Sequence, residues 1–157
     1  MNTTVVTSSA SESTEVRHLP SRIGLLALAV GSAWVGAWAT FAPQSFYDSF
    51  PGFGRHWISL DGAYNQHLIS DVGGLNLALA VITFVAAISF TPTFVRAVCV
   101  GWLVYSVPHL LYHATHLHGL EGVDQVTNVV SLSFNVVVPI LVLIANLWTW
   151  PARRPAS

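Results

Sequence analysis

The sequence predicts an all-α integral membrane protein: a four-helix antiparallel bundle forming one domain. The composition predicts it first, with 53% hydrophobic and only 8% charged residues, against about 25% charged in an average soluble domain. Four apolar stretches, 23–42, 64–90, 94–116 and 126–150, supply the second observation. Each reaches the ~20 residues that a bilayer crossing needs, and all are too long and unbroken to be barrel strands. In lipid only helices and closed barrels satisfy their own backbone polar groups, so helices follow. The third observation is the sorting of the cations, all of them arginine, onto alternate connections.

Residues 1–21 are rich in Ser, Thr and Glu and lack aromatics, a composition that predicts a disordered tail. The first span follows at 23–42. Ala37-Trp38-Ala39 resembles a signal-peptide cleavage site, but the apolar run exceeds the 7–15 residues of a signal core, so the span is expected to be retained. A long connection, "PQSFYDSFPGFGRHWISLDGA", comes next. It sets Phe46, Tyr47, Phe50, Phe53 and Trp57 among Pro, Gly and Asp. Loops of this length serve as lids or binding loops, and aromatic-rich segments also rest at the headgroup level; both readings stand. The second span, 64–90, has Asp61 as its expected N-cap. Thr91-Pro92-Thr93 predicts a tight turn into the third span, 94–116. Residues 117–124 predict another into the fourth, 126–150, and 151–157 form a second tail.

Arg17, Arg22, Arg96, Arg153 and Arg154 all fall on one side of this topology, and only Arg55 on the other. The positive-inside rule then places both termini in the cytoplasm of a cell-membrane protein, with Trp148 and Trp150 in the inner aromatic belt. A net charge of −1 argues against a nucleic-acid partner. Cys99 is the only cysteine and lies within the third span, where a small packing residue is the expected role.

The polar residues of the spans gather toward the outer end. "PHLLYHATHLHG" carries His109, His113, His116 and His118. The first three fall within about 60° of one another on a helix. The second span opens with His67 and Asp71 at i and i+4, and the fourth with Asp124 and Asn128. Ionisable groups inside spans usually face the bundle interior and mark sites. Two His one turn apart can bind one metal, and imidazole with carboxylate suits iron, copper or zinc. The expected ligand set is therefore His67, Asp71, His109 and His113, with His116 in reserve. Asn65, Asp124, Asn128, Trp57 and Tyr64 are expected in a supporting or substrate-binding role. Asp71 is expected to hydrogen-bond a histidine of the third span.

The chain resembles the small bacterial four-helix membrane proteins grouped as DoxX-like. The resemblance rests on four short-looped spans, "FAPQSFYDSFPG" after the first, and "YNQHLISDVGGLNLALA" opening the second. Some members are linked to quinone or thiol redox complexes, which the resemblance would imply here; the lack of a cysteine pair speaks against thiol chemistry. The spacing of His109 and His113 also resembles the first histidine box of membrane fatty-acid desaturases, as convergent spacing on the other membrane face.

Three functions are thus expected in competition. The first is a metal site near the outer face, performing redox or hydrolytic chemistry on a small or lipophilic substrate. The second is a haem held by His67 opposite His113 or His109. The third is a non-enzymatic membrane subunit or small transporter with a structural or proton-carrying His and Asp network. Gly24, Gly31 and Gly36 suggest a face for packing against a second chain.

Overall fold

The computed structural model describes residues 4–149 and contains five helices. They are α1 (Thr4–Phe41), α2 (Pro43–Ser49), α3 (Gln66–Ser89), α4 (Pro92–Thr115) and α5 (Val123–Thr149). Four are long and apolar enough to cross a membrane, over His18–Phe41, Gln66–Ser89, Pro92–Thr115 and Val123–Trp148. The expected spans are therefore present. The residues expected in the C-terminal tail, with Trp150, lie outside the described residues. Helix α1 also takes in the stretch from Thr4 that composition assigns to a tail; Ser, Thr and Glu are tolerated in helices. The buried ring of His18 sits 5.1 Å from that of Phe90.

The crossings pack as two helix pairs. In the α1–α3 pair the backbones nearly touch. A Cβ on Gly36 would lie 2.7 Å from the Leu77 nitrogen, and one on Gly73 would lie 2.6 Å from the Thr40 nitrogen. Glycine at both positions permits this approach, the usual way membrane helices gain van der Waals contact. Gly36 thus packs within the chain, as does Gly24, whose Cβ would meet Val138 and Val142 of α5. Neither is available to the intermolecular contact that the glycine pattern suggested.

The pairs are joined at the end that carries the tight turn between α3 and α4, here the turn end. Its core draws Leu25 and Leu28 from α1, Ala86 and Ala87 from α3, and Val142 from α5. Helix α4 adds Val95, Val98, Cys99 and Trp102. Trp102 Nε1 donates to Thr83 Oγ1 at 2.8 Å, tying α4 to α3. Cys99 is free and buried, as expected of a packing residue. Arg22 donates to the carbonyls of Ala87 and Ile88 at 3.0 and 3.1 Å. It thereby satisfies the exposed C-terminal carbonyls of α3.

The opposite, loop end is built differently. Its cluster of Ala39, Phe46 and Ile69, with Trp38, Phe50 and Ile58 against it, unites α1, α2, α3 and the long connection. It includes nothing from α4 or α5. The helix pairs therefore share a core at the turn end and part toward the loop end.

Candidate functional site

Between the parted pairs lies a cavity of about 440 Å³, within the range of small-molecule sites. Its floor is Trp102, and its walls come from all four crossings. Phe46, Phe50, Trp57, Ile58 and Leu60 of the long connection form its roof. The aromatic connection is thus a lid in position. Phe53 at its tip is 96% exposed and takes no part.

The same stripe that builds the turn-end core of α4 carries the site's histidines. Val95, Val98, Trp102 and Ser106 are buried at helical spacing. His109 and His113 continue that face outward into the cavity. Their rings meet edge to face at 4.7 Å, and His109 stacks on Tyr105 at 5.3 Å. Asp61 reaches in from the roof, with Oδ2 3.8 Å from His113 Nδ1. Asn76 of α3 and Ser32 of α1 close the deeper wall; Ser32 Oγ lies 2.9 Å from the Asn76 carbonyl and 3.1 Å from Oδ1. From α5 come Asn128, Ser131 and Asn135. Two cavity-lining residues hold buried polar atoms with no partner, Trp57 Nε1 and Asn128 Oδ1. Such atoms cost about 1–3 kcal/mol each when left unsatisfied.

Two contacts hold the roof to the far helix pair. Arg55 pairs with Asp124 at the start of α5, both about one-third exposed. Leu60 approaches Gly119 in the α4–α5 connection. Asp124 therefore fastens the lid rather than supporting a ligating group.

Several expectations about the site are corrected by this geometry. His67 and Asp71 do not meet the histidines of α4. They pair with each other at 3.4 Å, and their side chains are 88% and 58% exposed on the outside of the bundle. The buried face of α3 is Ile69, Gly73, Asn76, Ala80 and Thr83. Asn76 is nine residues from His67, about 180° around the helix, so both cannot face inward. Asp71 consequently has no bond to α4. His116 leaves the stripe where the helix ends: its ring is exposed, stacks on Tyr112 at 4.3 Å, and Nδ1 donates to the Tyr112 carbonyl at 2.9 Å. The N-cap of α3 is Asn65, whose Oδ1 accepts from the Leu68 amide at 3.1 Å. That frees Asp61 for the cavity. Tyr64 packs on Tyr47, whose hydroxyl donates to Gly62.

Of the expected ligands, only His109 and His113 reach the cavity. Among the described residues no group of three or more His, Cys, Asp or Glu is arranged to hold a metal ion. His118, the last histidine of the stretch, lines the cavity mouth while remaining exposed. Asp61, Ser32 and Tyr105 were not legible as site residues. Asp61 is joined to the site only by the path of the connection, and Ser32 by the α1–α3 contact. No protein-family model, curated protein or solved structure matches the chain.

Proposed function

We propose that this integral membrane protein binds a lipophilic small molecule with a polar head group in the cavity between its helix pairs. The single observation that carries the reading is the cavity's division of labour. Its floor and roof are Trp, Phe, Leu and Ile, while His109, His113, Asp61 and Asn128 converge toward its loop end. Apolar pockets with a few convergent polar groups are the usual form of small-molecule sites. The apolar body would lie against Trp102 and the apolar walls of the cavity. The head group would take hydrogen bonds from the imidazoles and give one to the orphaned Asn128 oxygen. His113 and Asp61, side by side, can hold or pass a proton at that head group.

Protein extracted in mild detergent should retain one amphiphilic molecule per chain in native mass spectrometry. His113→Ala should raise the Kd for that molecule about tenfold, the loss of ~1.4 kcal/mol, while Gly101→Ala leaves it unchanged. An empty cavity in protein shown to be folded would overturn the reading. So would a stoichiometric transition metal by elemental analysis, or a Soret band after haem addition.

The arginine distribution supports placing the loop end outside the cell membrane. A green fluorescent protein fused after Ser157 should then fluoresce, since that reporter matures in the cytoplasm, and alkaline phosphatase fused there should be inactive. The reverse pattern would invert the topology.

A further inference from the structure

We propose that the ligand reaches the cavity sideways from the lipid phase, through a gap between α1 and α5 at the level of Gly31 and Ser131. The inference rests on the ligand-binding reading above and specifies its ligand as an amphiphile dissolved in the bilayer.

Helices α1 and α5 touch at Gly24, where an added Cβ would lie 3.0 Å from Val138 and 3.5 Å from Val142. Gly31 is two turns further along the same face of α1, only about 20° away in angle. If the helices stayed in contact, it would meet the residue two turns from Val138 on α5, which is Ser131. Instead a Cβ on Gly31 would find nothing within 4 Å. Gly31 and Ser131 are both exposed, and both line the cavity. Trp34 and Phe134 flank them, 50% and 44% exposed, and line the cavity too. Cavity lining here is accessible surface, and the missing contact at Gly31 leaves a gap between α1 and α5. Buried Pro139 sits beside the last contact. Lacking an N–H, it leaves the Asn135 carbonyl without its helical donor and favours a bend there.

The other approaches carry obstructions that the α1–α5 gap lacks, although His118 stays exposed at the cavity mouth. Between α3 and α4, Asn76 is buried and held by Ser32. From the loop end, the roof is latched by Arg55 on Asp124 and by Leu60 against Gly119. Depth settles which solvent the gap meets. Gly31 lies about 15 Å from the loop end of α1 and Ser131 about 12 Å from the start of α5. In a hydrocarbon layer ~30 Å thick, both face acyl chains.

The test uses the full chain in liposomes with a hexadecanol carrying a diazirine next to its hydroxyl end. After photolysis, peptide mapping should find label on the Trp102–His113 segment. Gly31→Trp and, from the facing helix, Ser131→Trp should each cut that labelling at least fivefold. Gly101→Trp, an exposed position with nothing within 4 Å of its Cβ, controls for a bulky residue in lipid and should label like wild type. Arg55→Ala, which unlatches the aqueous side, should stay within twofold. Full labelling in both tryptophan variants, with a rise in Arg55→Ala, would show admission from water and overturn the lateral route. No label on the segment in wild type would instead defeat the binding reading, and the route with it.

Discussion

Gly73→Val is expected to abolish most of the folded protein, whereas Gly74→Val should leave it intact. The two glycines are neighbours in sequence and equal in composition, yet they face opposite environments. A Cβ at Gly73 would lie 2.6 Å from the Thr40 nitrogen and 3.0 Å from the Ala39 carbonyl carbon. Both are backbone atoms and cannot swing aside. Relief would require separating α1 from α3 along their whole contact, including the Gly36 approach to Leu77. Overpacking typically costs about 1–3 kcal/mol and occasionally more, and rigid backbone on the facing side puts Gly73 at the upper end. A Cβ at Gly74 meets nothing within 4 Å, and the residue is exposed. Fluorescence-detected size exclusion of detergent extracts checks the pair. A monodisperse peak for Gly73→Val at wild-type yield would mean the α1–α3 contact is not as close as described.

Trp102→Ala has the other large expected effect. Trp102 is 2% exposed and stands between the turn-end core and the cavity, forming part of one and the floor of the other. Truncating a buried Trp to Ala typically costs 3–5 kcal/mol. The share of its hydrogen bond to Thr83 is small, since interhelical hydrogen bonds in membranes average about 0.6 kcal/mol. Trp102→Phe should therefore retain most of the stability and Trp102→Ala little. Thermal unfolding in detergent should rank wild type, Phe and Ala in that order, with the larger drop at Ala. Equal drops for both would assign the stabilisation to the hydrogen bond instead of to packing.

The placement of the polar residues shows how far a sequence can be read. On α4 the reading holds for His109 and His113 because they continue the buried stripe of Val95, Val98, Trp102 and Ser106. On α3 it fails. His67 and Asp71 share a face with each other, and their polarity suggests that this face turns inward. The competing signal was the run of small residues, Gly73, Asn76, Ala80 and Thr83, which is the face that packs. In lipid, close approach of small residues drives helix contact more than polarity does. An exposed His–Asp pair at the end of a crossing is worth little and is tolerated where solvent or headgroups reach it. Asp61 was misassigned for a simpler reason: Asn65, nearer the helix start, takes the cap and leaves it free.

By itself, the sequence determined the all-helical class of the protein, the number of its long apolar helices and the gathering of polar groups toward one end. Those properties depend on length, hydropathy and local spacing, each contained within one segment. Only the tertiary structure decided which face of α3 turns inward, that Asp61 joins the histidines of α4, and that the helix pairs part to leave a cavity open beside Gly31. Those outcomes depend on the rotation and separation of helices, set by where two backbones can approach each other. Such an approach is a property of pairs of surfaces, and a single segment does not carry it.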